Sequence, residues 1–304
     1  MMGAMGAPQN TRRLAADAAL LAVAASWGLT FPLGKIVLTA LPPFTYLALR
    51  FTVAALLLLT LVSRRAGAPA GRAAHAGRVW TQALAVGVMF FLGYAFQVLG
   101  LRMTTASQAG FITGTSVIMV PVISGLWLRR APRPLVVAGI AAATVGLGLL
   151  ALEGPVEARI GDGLVLACAV CFAVHIVLVG RLAPALDHRV FAVAQAIPVA
   201  VLGAIAALTE HPGAAIASAS PAIWAAIAFM AVTASAGALL VQSWAQRFTT
   251  PSHTGLMFTF EPVAAALLAY WVLGEALTGR QAVGAGLILA GILIAELRSD
   301  ASSV

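Results

Sequence analysis

Ten apolar runs, each close to the length needed to cross a bilayer, follow one another along this 304-residue chain with short connectors between them. A helix must supply about 20 apolar residues to span a hydrocarbon core of roughly 30 Å. Runs of that kind lie near 14–38, 43–62, 79–99, 106–128, 134–152, 161–181, 189–208, 221–243, 252–273 and 279–297. The longest connectors, Ser63 to Arg78 and Thr209 to Ser220, are too short to hold a soluble domain. Only 9% of the residues are charged and mean hydropathy is +0.99. A soluble domain carries roughly 25% charged residues. So few polar side chains cannot build a water-facing surface, and the chain is expected to be an all-α integral membrane protein of ten transmembrane helices.

The net charge of +8 does not point to nucleic acid, because no basic groove or aromatic-basic interleaving accompanies it. The arginines sit instead in the short connectors. With the N-terminus inside, thirteen cations fall on the inner side: Arg12, Arg13, Arg64, Arg65, Arg72, Arg78, Arg129, Arg130, Arg133, Arg181, Arg189, Arg247 and Arg298. Four, Lys35, Arg102, Arg159 and Arg280, fall on or near the outer side, and Arg50 is intramembrane. Under the positive-inside rule this imbalance places both termini in the cytoplasm. Cys168 and Cys171 share one helix face inside an apolar run, which reads as small apolar packing rather than a metal or redox pair. The first run is too long for a signal-peptide core, and no cleaved targeting segment is read.

Sliding the sequence on itself gives an ungapped match at an offset of 145 residues. Asp17 meets Asp162, Gln97 meets Gln242, Arg102 meets Arg247, and Gly110, Gly139 and Gly146 meet Gly255, Gly284 and Gly291. Arg102-Met103-Thr104-Thr105-Ala106-Ser107 falls on Arg247-Phe248-Thr249-Thr250-Pro251-Ser252, Trp27 on Phe172, and Arg50 on Gln195. Polar and glycine matches carry the signal, since two apolar halves share Leu and Ala by chance. The first repeat covers 14–152 and the second 161–297. Each has an odd number of crossings, so the second must lie inverted. Inverted repeats of this kind enclose substrate sites near the bilayer midplane.

The same residues bring a family resemblance. Trp27-Gly28, Arg50, the turn Thr104-Thr105-Ala106-Ser107, Glu261-Pro262 and Leu273-Gly274-Glu275 stand in the order and spacing of the drug/metabolite transporter superfamily. Over essentially its whole length the chain resembles the ten-helix EamA-like exporters, and is similar to bacterial amino-acid exporters. One departure is Leu128-Arg129-Arg130, where the second half has Leu273-Gly274-Glu275. The resemblance implies a cavity lined by helices one to four and six to nine, with five and ten peripheral. It also implies export of a small organic metabolite, commonly an amino acid, across the bacterial inner (plasma) membrane. Efflux of cationic compounds is the alternative within carriers; a passive channel and a membrane-embedded enzyme are those of another class. No His-Glu-x-x-His, Gly-x-Ser-x-Gly or phosphate-cradling glycine loop is present, so the chain is read as no enzyme, with no cofactor and no metal.

Intramembrane ionisable groups are costly, roughly 2.5–3.5 kcal/mol each on insertion scales. Three lie well inside the runs: Arg50, His175 and Glu261. At about 1.5 Å of rise per residue, Glu261 sits roughly 14 Å from the inner face and His175 roughly 20 Å from the outer one. They either bind cargo and carry a coupling proton, or are structural. For Arg50 the structural use, pairing with Glu261 or satisfying backbone, is the favoured one, and for His175 a hydrogen-bonded core position. Pro262 frees a carbonyl one turn back. Trp27, Thr30, Phe31, Tyr94, Gln97, Thr113, Gln195, Gln242 and Thr254 complete the candidate cavity set, with Gln97 and Gln242 expected to face each other. Trp244 reads as an interfacial anchor. The glycines of helices five and ten make small packing faces, through which a homodimer is expected as an option. The expected partners are therefore a small-molecule substrate, the lipid bilayer and a coupling proton, with no nucleic acid.

Overall fold

The computed structural model describes residues 9–63, 73–128, 134–151, 159–268 and 278–296. Among these, eight helices are long and apolar enough to cross a membrane, from Thr11–Ala40 through Pro221–Ala245. The ninth crossing is described over Pro251–Leu268 and the tenth over Gly279–Glu296, so the chain is an all-α membrane protein of two five-helix repeats. Leu273-Gly274-Glu275 and Arg64, Arg65, Arg72, Arg129, Arg130, Arg133 and Arg298 lie outside the described residues.

Four crossings that read as continuous apolar runs are interrupted. The first is α1 (Gln9–Trp27) followed by α2 (Thr30–Ala40), the second α3 (Pro43–Ser63) and the third α4 (Ala73–Met103). The fourth is α5 (Ala106–Gly114) then α6 (Ser116–Leu128), and the fifth α7 (Pro134–Ala151). In the second half come α8 (Ile160–Leu182) and α9 (His188–Ala207), then a short α10 (Gly213–Ser218) in a segment expected to be plain connector. The eighth crossing is α11 (Pro221–Phe229), a π-helical stretch (Met230–Gly237) and α12 (Ala238–Ala245). The ninth is α13 (Pro251–Phe258) then α14 (Phe260–Leu268), and the tenth α15 (Gly279–Glu296).

The breaks have local causes. A proline ring clashes with the carbonyl four residues earlier and offers no N–H to it. Pro32 places that fault at Gly28 and Pro262 places it at Phe258, where the first and ninth crossings part. A threonine hydroxyl then takes a nearby carbonyl at three of the breaks. Thr30 donates to Trp27 O (2.8 Å), Thr115 to Ile112 O (2.6 Å) and Thr259 to Leu256 O (2.6 Å). Broken helices at membrane depth are tolerated where such groups re-satisfy the backbone and protein surrounds it. The breaks at Thr115 and Thr259 fall on the repeat offset to within one residue.

Packing interleaves the halves. The first helix of each half docks on the third and fourth helices of the other: α1 on α12, α13 and α14, and α8 on α4, α5 and α6. Each junction carries a repeat-matched aspartate. Asp162 accepts from Thr104 Oγ1 (2.6 Å), Gln108 Nε2 (2.7 Å) and Arg159 N (2.7 Å). Its mate Asp17 lies 3.2 Å from His253 Nε2, and His253 is the mate of Gln108; Arg13 Nε is 3.7 Å away. The second helix packs on the seventh, and the fifth on the tenth. That last crossing is backbone on backbone. A Cβ on Gly146 would lie 2.5 Å from Gly284 O, and Gly139 meets Gly291 in the same manner. Four of the six glycines on the expected homodimer face are therefore engaged within the chain.

Candidate functional site

Three of the four interruptions, those of the first, fourth and ninth crossings, border one cavity of about 390 Å³. Its wall is built of repeat mates. Trp27 and Phe172, Thr30 and His175, Phe31 and Ile176, and Gln97 and Gln242 all line it. So do Gly110 and Gly255, Thr113 and Phe258, Gly114 and Thr259, and Ser116 and Glu261. Both members of eight offset pairs meet one space, so the cavity straddles the pseudo-two-fold axis. It extends past the midplane to Ala106, Ala151 and Gln281, which stand at helix ends on the face opposite the N-terminus. Toward the N-terminal face lie the buried side chains of Asp17, Gln246, Ser252 and His253.

Of the twelve residues expected at the site, nine line the cavity: Trp27, Thr30, Phe31, Tyr94, Gln97, Thr113, His175, Gln242 and Glu261. Arg50, Gln195 and Thr254 do not; all three are buried behind the wall. The expected Arg50–Glu261 pair is not formed. Arg50 instead donates to Ser235 Oγ (2.7 Å), Tyr46 OH (2.9 Å), Ala234 O (3.3 Å) and Tyr94 OH (3.4 Å). Its guanidinium carbon lies 5.1–5.9 Å from the ring centroids of Tyr46, Phe51 and Tyr94. Neutral dipoles and π-faces thus surround the cation, and Tyr94 stands between it and the cavity.

Glu261 occupies the first turn of α14, where the half-helix N-terminus favours negative charge. Among the described residues its carboxylate accepts no hydrogen bond and joins no ion pair. The break of the first crossing reaches this turn because Gly28 has no side chain: a Cβ there would lie 2.8 Å from Ala265 N and 3.1 Å from Glu261 O. His175 stacks on Phe90 with ring centroids 4.4 Å apart and meets Gln195 Oε1 through Nε2 at 2.7 Å. Gln195 Nε2 in turn donates to Phe191 O (3.2 Å) and Ser243 Oγ (3.0 Å). A backbone carbonyl accepts only, so Phe191 O orients the amide and leaves Oε1 toward the imidazole. Neutral His175 therefore carries its proton on Nε2, with Nδ1 as the acceptor.

Phe90, Phe111, Phe172, Phe258 and Ser116 also line the cavity, beyond the residues expected from the sequence. For Phe172, Phe258 and Ser116 the signal existed: each is the offset mate of a chosen residue, Trp27, Thr113 or Glu261. Trp27 and Phe258 make a tilted ring pair 4.7 Å apart. The resemblance had placed helices two and seven in the wall and five and ten outside it. Neither α3 nor α9 contributes a lining residue, because each buries its polar side chain against the other elements. Leu147, Leu150 and Gln281 of α7 and α15 do line the space, since the close glycine crossing sets these helices beneath its rim.

An inverted pair of five-helix units around a midplane cavity with broken helices defines a membrane transporter scaffold. The EamA-like transporter family matches residues 14–152 and again 159–297, and the chain belongs to that family, within the drug/metabolite transporter superfamily. A protein of Archaeoglobus fulgidus named as an uncharacterized transporter is 32% identical over 96% of this chain and 89% of its own length. A second from the same organism, with the same description, is 26% identical over 88% and 92%. A crystal structure with 21% identity superposes with a TM-score of 0.76, covering 95% of this chain and 99% of that one, which shows a shared fold.

Proposed function

We propose that this transporter is a secondary carrier that exports a small amphipathic organic metabolite across the inner membrane by alternating access. The observation that carries the reading is the eight-pair wall of repeat mates, which gives both faces of the bilayer an equivalent claim on one site. With the N-terminus cytoplasmic, the cavity described above faces outward. Rocking about the pseudo-two-fold would exchange that opening for its mirror on the inner side. Amino acids and organic cations are the two substrate classes to separate: both offer an amine to Glu261, whose carboxylate has no partner among the described residues, and an apolar group to the rings. Glu261, an acid that lines the cavity, is also the proposed carrier of a coupling proton.

The test is flux in proteoliposomes. A carrier gives saturable uptake and counterflow of its substrate, driven by a preloaded internal pool. Flux that rises linearly with concentration and lacks counterflow would assign a channel instead.

A further inference from the structure

Resting on that reading of the cavity as the transport site, we infer that its cargo is an apolar amine or other organic cation without a free carboxylate, held by Glu261 among aromatic faces. Among the described lining residues there is no Lys and no Arg, and Glu261 is the one acid. The cations near the cavity are turned to neutral groups, and at the outer rim Arg280 donates to Gly148 O (3.3 Å). Arg50 is held as described behind Tyr94, and Lys35 Nζ donates to Leu101 O (2.6 Å) and Thr104 O (2.7 Å).

Several donors of the wall are committed, and those left open, the Gln97 amide and the hydroxyls of Tyr94 and Ser116, are neutral and cannot balance the charge of a carboxylate. Trp27 Nε1 donates to Ala234 O (3.1 Å), Gln242 Nε2 to Gln246 Oε1 (2.9 Å), and the Thr30 and Thr259 hydroxyls to their own backbones. The strong acceptors are open: the Glu261 carboxylate, and Nδ1 of a His175 whose proton the Gln195 amide holds on Nε2. An ammonium group finds there a charge-assisted acceptor and ring faces to lie against. A carboxylate entering the same space finds no cation among the described lining residues and is repelled by Glu261. Burying an unpaired carboxylate is strongly unfavourable. The wall therefore selects at the carboxylate end of the cargo as well as at the amine end.

Four probes that share one phenyl ring separate these ends: 2-phenylethylamine, phenylalanine amide, phenylalanine and 3-phenylpropionate. Their binding to the purified full-length chain in detergent, at neutral pH where the amine of the amide is still largely protonated, is read by calorimetry and by quenching of tryptophan fluorescence. Counterflow of each is read in proteoliposomes. The expected result is that the amine and the amide bind and exchange, phenylalanine binds at least about tenfold more weakly, and 3-phenylpropionate does neither. Glu261→Gln then weakens amine binding by at least about tenfold with an unchanged melting temperature, and Glu261→Asp restores part of it. Phenylalanine equal to its amide, or binding of 3-phenylpropionate, overturns the inference while leaving the carrier intact. Saturable counterflow confined to uncharged solutes does the same. Absence of saturable flux for amine, zwitterionic, anionic and neutral panels alike overturns both readings.

Discussion

The aspartate at the start of the sixth crossing offers a quantitative test of how the halves interlock. Asp162 accepts two hydrogen bonds from the end of the third crossing and the start of the fourth, from Thr104 and Gln108, at 2.6 and 2.7 Å. Hydrogen bonds to charged groups contribute about 1.5–3 kcal/mol each. Asp162 is half-buried, which places these two at the lower end, about 3 kcal/mol together. Asp162→Ala also orphans the buried Thr104 hydroxyl and removes the acceptor for Arg159 N. The single variant is therefore expected to lose about 3–4 kcal/mol. In a double-mutant cycle with Gln108→Ala the coupling should be about 1–2 kcal/mol, because only the shared bond is counted twice. The assay is equilibrium unfolding in mixed micelles, followed by helical circular dichroism. A coupling below about 0.3 kcal/mol would refute the reasoning, since independent sites add within roughly that margin.

Three further outcomes follow from the same geometry. Gly146→Leu drives a side chain into Gly284 O and Ile288, and should cost about 1–3 kcal/mol in the same unfolding assay; Gly286→Leu, with nothing within 4 Å, should be near neutral. Gln97→Ala combined with Gln242→Ala should raise the substrate concentration for half-maximal flux by about three- to thirtyfold, from roughly 0.6–2 kcal/mol of lost polar contact. Glu261→Gln should abolish accumulation driven by a pH gradient, while substrate exchange persists at raised concentration; retained gradient-driven accumulation would remove Glu261 as the proton carrier.

The crossings were legible in the sequence because lipid imposes a length and an apolarity that composition cannot hide. The repeat was legible because aspartates, glutamines and glycines at one offset survive an apolar background. The offset reaches further residues as well: applied to Glu261 it points to Ser116, and applied to Gln108 it points to His253. What stayed hidden were partners set by packing at long range. Arg50 invites pairing with an acid, yet its contacts Ala234 and Ser235 lie some 185 positions away, in a π-helical stretch with no local signature. Pro262 announced a break, and the structure places it at Thr259; the break at Thr115 had no equally close proline to mark it. The rim position of the fifth and tenth helices likewise depends on how tightly Gly146 and Gly284 let them cross.

The central claim, one site offered in turn to each side of the membrane, is tested most directly at Ser116, the offset mate of Glu261. Ser116→Cys is placed in a chain whose Cys168 and Cys171 are changed to Ala, and membrane-impermeant thiol reagent is applied to right-side-out and inside-out vesicles. The account predicts labelling from both faces, with saturating cargo on one side changing the rate on the other. Labelling from a single face under every condition, with transport intact, would contradict it.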